Sequence, residues 1–218
     1  MNIRCGRVSV EVLVPLFISF CSSSTGGIIV LCAGDSITSA AYPHFLRKIL
    51  NTNGIRARVL NHGRSGNTSG EYLRFLMKNQ TKFSREHPDF ILLQLGTNDV
   101  RIDSDSTPAE AFRTNMDKIL EIFRTFHNRN GKSAVILLAT IPPVPKGVGP
   151  PFSERSRERV GAEINPLIRE ICQKEKILLV DNYSLFVSAP ELLPDVHPTP
   201  EGYKRLARNW FEALKPLL

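Results

Sequence analysis

Apolar residues follow two rhythms along this chain. Five short runs, 28–32, 57–60, 90–95, 134–139 and 176–180, are apolar throughout or nearly so. Between them the apolar positions recur every three or four residues. A short unbroken apolar run fits a parallel strand covered on both faces, and the wider spacing fits an amphipathic helix. Tyr42, Phe45, Leu46, Ile49 and Leu50 make the first such helix, with Gly54 placed to end it. Glu71–Asn79 makes a second, with Tyr72, Phe75 and Leu76 inward. Thr107-Pro108-Ala109-Glu110 has the form of a capping box and opens a helix to about Asn128. A long helix is expected over Glu154–Lys174, kinked or split at Pro166. Thr199-Pro200 caps the last, which turns Tyr203, Leu206, Trp210, Phe211 and Leu214 inward.

Strands that alternate with helices imply a parallel sheet covered on both sides. The expected fold is therefore a three-layer α/β/α sandwich with a five-stranded sheet. Each crossover holds one main helix, which favours the flavodoxin-like order 2-1-3-4-5. Residues 27–218 form the domain, and residues 1–26 read as a separate extension. Ile141–Ser153 holds five prolines and is irregular. Its Val144, Val148 and Phe152 suit either one wall of an acyl pocket or a rigid spacer.

Composition narrows the class. The 218 residues are 42% hydrophobic and 22% charged, enough for one core without disulfides or metals. The net charge is +7. The basic residues are dispersed among acids, and the densest group, Arg155, Arg157 and Arg159, alternates with Glu154 and Glu158 without aromatic residues. That argues against a nucleic-acid stripe. It leaves a solvated basic surface or contact with an anionic membrane surface. Cys5, Cys21, Cys32 and Cys172 form no Cys-x-x-Cys pair, and no histidine lies at ligand spacing, so neither a metal nor another cofactor is expected.

The amino terminus runs from Arg4 and Arg7 into the apolar Val12–Phe20, then Cys21 and a serine tract. This is the outline of a signal peptide or a lipoprotein leader, with a run too short to span a bilayer. Glu11 and Phe20 depart from those patterns. Export or membrane anchoring is one expectation, and a cytoplasmic protein with an uncleaved extension is the other.

In such a sheet, ligands meet the carboxyl ends of the strands. The polar, glycine-rich segments fall there: Gly34–Thr38, Asn61–Thr68, Gly96–Asp99 and Asp195–Thr199. Ser36, on a strand–turn–helix unit, is a nucleophile candidate, and a serine hydroxyl needs a base. His197 is the natural one. Acyl transfer also needs donors for the oxyanion. The Ser36 N–H, the Gly66 N–H and the Asn98 amide are placed to supply them. Asp35 and Asp99 read as scaffolding that accepts loop N–H groups.

Gly34-Asp35-Ser36, the Gly66 loop, Gly96-Thr97-Asn98-Asp99 and His197-Pro198 together resemble the four blocks of the SGNH hydrolases, the GDSL esterase/lipase family, over nearly all of residues 28–218. The resemblance implies metal-free ester hydrolysis through an acyl-serine, with Ser36 as nucleophile, His197 as base, and Gly66 and Asn98 completing the oxyanion hole. The family places its acid three residues before the histidine, where this chain has Pro194. Asp195, two residues before, is the favoured substitute; Asp181 or a backbone carbonyl are the others. The implied substrate is a small-molecule ester: a small acyl ester, a lysophospholipid or an acetylated glycan. A non-catalytic glycan- or lipid-binding module and a transacylase are the rival readings.

Overall fold

The computed structural model describes residues 26–218, so the leader-like segment before Gly26 lies outside the described residues. Five parallel strands, β1 (Ile28–Gly34), β2 (Ala57–Gly63), β3 (Phe90–Gln94), β4 (Val135–Ala139) and β5 (Leu178–Val180), form one sheet in the order β2-β1-β3-β4-β5. This is the expected architecture and strand order. The helices are α1 (Ser36–Ser39), α2 (Tyr42–Thr52), α3 (Ser69–Ser84), α4 (Ala109–Arg124), α5 (Glu154–Arg159), α6 (Asn165–Glu175), α7 (Asn182–Val187) and α8 (Pro200–Leu214).

The uninterrupted apolar runs follow from the two cores. Alternate residues of a strand face opposite ways, and here both faces are covered. Leu31, Ala33, Ile91, Leu93 and Leu138 pack with α3, α4 and α6 through Leu76, Phe112, Met116, Ile119 and Ile168. Their neighbours Val30, Cys32, Leu92, Leu137 and Ala139 pack with α2 and α8 through Leu46, Leu50, Leu206 and Trp210. Each fully buried Leu or Ile contributes about 1.5–3 kcal/mol, so neither face tolerates a polar residue cheaply. The free thiols of Cys32 and Cys172 are buried in these cores, where burial raises their pKa to about 12 and about 11.

Several boundaries differ from expectation, each for a local reason. Helix α3 starts two residues before Glu71 and ends at Ser84. Thr68 accepts the Glu71 N–H while the Glu71 carboxylate accepts the Thr68 N–H. The Thr107 capping box does not form. Its N–H donates to the Asp99 carbonyl at 2.9 Å and its own carbonyl accepts Arg159 at 2.6 Å, so Thr107 belongs to the loop after β3 and α4 begins at Ala109. Helix α4 stops at Arg124 because Phe126–Ala134 folds back on itself around Asn130-Gly131. The long helix over 154–174 is split, as Pro166 required. A π turn over Val160–Ile164 separates α5 from α6, and Pro166 sits in the first turn of α6, where its missing N–H costs nothing.

The apolar residues of the proline-rich segment also find their place. Val144 and Phe152 are buried in the core that holds Phe112 and Ile164, and Val148 packs against it. These side chains pack into the core, so the acyl-wall reading is withdrawn for Val144 and Phe152.

Candidate active site

The nucleophile turn is built by a close approach of two backbones. At Gly34, φ is +152°, and a Cβ there would lie 2.0 Å from the Gln94 carbonyl oxygen and 2.4 Å from Thr38 Oγ1. Only glycine lets β1 end against β3 in this way. Asp35 then turns its carboxylate onto the Ile37 N–H at 3.0 Å and caps α1. Ser36 is the first residue of that short helix, so its N–H has no partner within it. Asn61, at the end of β2, holds the other end of α1 through the Ser39 carbonyl at 3.1 Å.

Asp35 and Asp99 are buried, and both act as braces. Burial pushes the Asp35 carboxyl up to about 6, with the Ile37 N–H and Thr97 pulling the other way. Asp99 accepts the Ser69 N–H at 2.9 Å and the Ser69 hydroxyl at 2.5 Å, and burial raises its pKa against those bonds. Asn115 adds a bond to the same hydroxyl at 3.0 Å. Asp99 thus ties the loop after β3 to the start of α3, just beyond the Gly66 loop.

Asn98 stands between the two loops. Its side-chain amide donates to the Asn67 carbonyl at 2.9 Å and is nearly buried. A primary amide has two N–H donors, so one is spent on fixing the orientation and the other remains. Gly66 has φ +79°, a conformation that strains other residues, and its N–H makes no hydrogen bond among the described residues. Arg159 fixes the Asn98 turn from behind, through the Asp99 carbonyl at 2.9 Å, Ser106 at 3.0 Å and Thr107. These braces join residues tens of positions apart, so the sequence carries no local sign of them.

His197 reaches the serine from the opposite side. Its Nε2 lies 2.9 Å from Ser36 Oγ. The segment that carries it is pinned by Thr199, which caps α8 through Gly202 N–H at 3.1 Å and donates its own N–H to the Leu192 carbonyl at 2.9 Å. Asp195 Oδ1 accepts the His197 backbone N–H at 2.5 Å and lies 3.5 Å from the ring Nδ1. An Asp two residues before a histidine closes a small side-chain turn of this kind, and the turn brings the carboxylate round to the ring. Both side chains are open to solvent, 62% for Asp195 and 48% for His197.

Asp181 is engaged elsewhere. It accepts Thr140 Oγ1 at 3.0 Å, Arg169 at 2.8 Å, and both the N–H and the hydroxyl of Ser184, capping α7. Partial burial works against its charge, but Arg169, Ser184 and Thr140 hold its pKa at about 2. Among the described residues, no group of three His, Cys, Asp or Glu side chains is arranged to hold a metal ion.

Comparison with known proteins shows the family and the fold. The model of the family described as GDSL-like Lipase/Acylhydrolase matches residues 32–205. A multidomain esterase of Ruminococcus flavefaciens is 28% identical over 134 residues, covering 60% of this chain and 16% of that protein. The matched region is therefore a small part of that relative's length. Among solved structures, the lipase/acylhydrolase from Enterococcus faecalis superimposes with a TM-score of 0.73 at 23% identity, over 88% of this chain and 97% of the other. A carbohydrate acetylesterase family member from Sinorhizobium meliloti gives a TM-score of 0.70 at 20% identity, over 87% and 96%.

Proposed function

Since the chain belongs to the GDSL-like lipase/acylhydrolase family, we propose that it hydrolyses short acyl esters through an acyl-Ser36 intermediate. The observation that carries this reading is the 2.9 Å contact between Ser36 Oγ and His197 Nε2. With the proton on Nδ1, the ring nitrogen that faces Asp195, Nε2 is free to accept. As Ser36 Oγ attacks the ester carbonyl, its proton passes to Nε2. The carbonyl oxygen becomes an oxyanion facing the Ser36 and Gly66 N–H groups and the second Asn98 N–H. The imidazolium then gives its proton to the leaving alkoxide as the C–O bond breaks. Water enters, loses a proton to Nε2 as it attacks the acyl carbonyl, and the imidazolium returns that proton to Ser36 Oγ as the acyl C–Oγ bond breaks and the acid leaves.

Asn98→Ala is expected to lower kcat by about 10²–10³-fold with a small change in KM, since its amide acts on charge that exists only in the transition state. Steady-state kinetics on one activated ester checks this. A comparable rise in KM at unchanged kcat assigns Asn98 to ground-state binding instead.

Two features favour a short acyl group and a bulky polar leaving group. Val144 and Phe152 are spent on the core rather than left to line an acyl channel. The exposure of Asp195, His197, Ser65 and Gly66 leaves the leaving-group side open to solvent. An acetyl ester on a carbohydrate fits both. The test is a series of p-nitrophenyl esters from acetate to decanoate, with Ser36→Ala alongside. The expected result is a kcat/KM greatest for acetate or butyrate and falling with length. A steady rise toward decanoate overturns the short-acyl reading.

A further inference from the structure

The end of the sheet remote from Ser36 carries a groove with an excess of basic residues. Lys78, Lys82 and Arg85 are spaced four and three along and just beyond α3, so they stand on one exposed stripe. Arg58 of β2, Arg129 in the turn after α4, and His87 complete a groove of about 650 Å³. Glu86 is the one acid among its lining residues; its Oε2 lies 2.9 Å from His62 Nε2 and its charge acts on Arg58 and Lys82, so one carboxylate faces Arg58, Lys78, Lys82, Arg85 and Arg129. Arg58, Lys78, Lys82 and Arg85 make no ion pair among the described residues, whereas Arg101, Arg113 and Arg169 each hold a carboxylate. No Phe, Tyr or Trp lines the groove, so there is no surface on which a nucleobase would stack.

The chain enters the domain at this same end. A Cβ placed on Gly26, the first described residue, would lie 2.6 Å from Arg129 Nη1. Immediately before Gly26 in sequence come the serine tract and the apolar run Val12–Phe20. A lone apolar segment holds a protein to a bilayer only marginally, and a polybasic surface beside it supplies the second signal. We propose that this groove docks the phosphate headgroups of an anionic phospholipid surface, acting together with the apolar run that precedes it. This inference does not depend on the ester-hydrolase reading.

Sedimentation of the full chain with phosphatidylcholine vesicles, with and without phosphatidylglycerol, tests it. The chain is expected to partition onto the anionic vesicles more strongly than onto neutral ones, and salt is expected to weaken the difference. Arg58→Glu/Lys82→Glu/Arg85→Glu is expected to lose about 10²-fold or more in partitioning, since each cation near such a surface is worth roughly a factor of five. A charge-matched control, Arg47→Glu/Lys48→Glu/Arg208→Glu, lies on α2 and α8 across the sheet and is expected to lose far less. Thermal melting by circular dichroism shows that both triple variants remain folded, whatever their esterase activity. Equal binding to neutral vesicles overturns the proposal, as does equal loss in the two triple variants. Tight saturation by pyrophosphate without vesicle binding also overturns it, and assigns the groove to a free phosphate ligand.

Discussion

Ser36→Ala is expected to lower kcat/KM for p-nitrophenyl acetate by about 10⁶-fold, leaving only what oxyanion stabilisation and binding supply on their own. The size of the effect follows from the pairing of the two groups. His197 Nε2 has Ser36 Oγ as its one hydrogen-bond partner among the described residues, at 2.9 Å. Without the hydroxyl, the histidine has no nucleophile to activate, and the acyl-enzyme route closes. His197→Ala costs a similar factor, and the double variant loses little more than either single one, because the pair acts as a unit. A fluorophosphonate probe reads the same chemistry by a covalent bond: mass spectrometry of the labelled protein places the adduct on Ser36, and Ser36→Ala takes up none. Substantial hydrolysis or labelling in Ser36→Ala removes the serine from the mechanism. A wild type that neither labels nor hydrolyses any ester leaves a binding module.

Asp195→Asn is expected to lower kcat by about 10²–10⁴-fold with KM little changed, the upper figure being the loss seen when a triad acid can no longer set the tautomer of its histidine. The lower figure reflects the 3.5 Å separation from Nδ1 and the exposure of both side chains, which lets water share the work. Asp181→Asn has the opposite profile. Its kcat stays within a few-fold of wild type, while the fold loses about 1–2 kcal/mol with the bonds to Arg169, Thr140 and Ser184. The pH dependence separates the two further. The Asp181 pKa in the fold is depressed to about 2, so its stabilisation is present above its ordinary carboxylate range and fades as pH falls toward 2. Asp181→Asn removes that part of the acid dependence from urea unfolding curves. A large kcat loss in Asp181→Asn with wild-type activity in Asp195→Asn reverses the assignment.

The pattern of apolar positions located every strand, because residues covered on both faces cannot alternate with polar ones. Leu31 faces one core and Cys32 the other, and the sequence records both requirements at once. The strand ends were legible for the same reason that they are useful. Gly34 is required by the approach of β1 to β3, and it announces the serine two residues later. The brace role of Asp99 was legible from its place after a strand end, and what escaped was the identity of distant partners. Asn98 meets Asn67, Asp99 meets Ser69, and Arg159 reaches back 60 residues to the Asp99 carbonyl. None of these has a period or a fixed spacing. The apolar residues of the proline-rich segment were ambiguous for a related reason: without regular backbone, Val144 and Phe152 carry no sign of which way they face. Thr107 failed as a cap because the loop after β3 claims its backbone before the helix can. The acid showed the limit of spacing as a guide. Pro194 occupies the usual place, yet the turn closed by Asp195 onto the His197 N–H carries a carboxylate to the ring one residue later.

Because every strand of the sheet points the same way, Ser36 and the basic groove lie at opposite ends of the domain, and the docking proposed above limits what Ser36 can reach. Strand β1 is seven residues long, and at about 3.3 Å per residue it separates its two ends by roughly 23 Å. A domain resting by its basic end on a bilayer holds Ser36 at that standoff, facing away from the lipid. The headgroups that anchor it then lie beyond the reach of its own nucleophile. Docked this way, the enzyme leaves the lipids beneath it intact and works on whatever polymer or solute occupies the layer above the membrane.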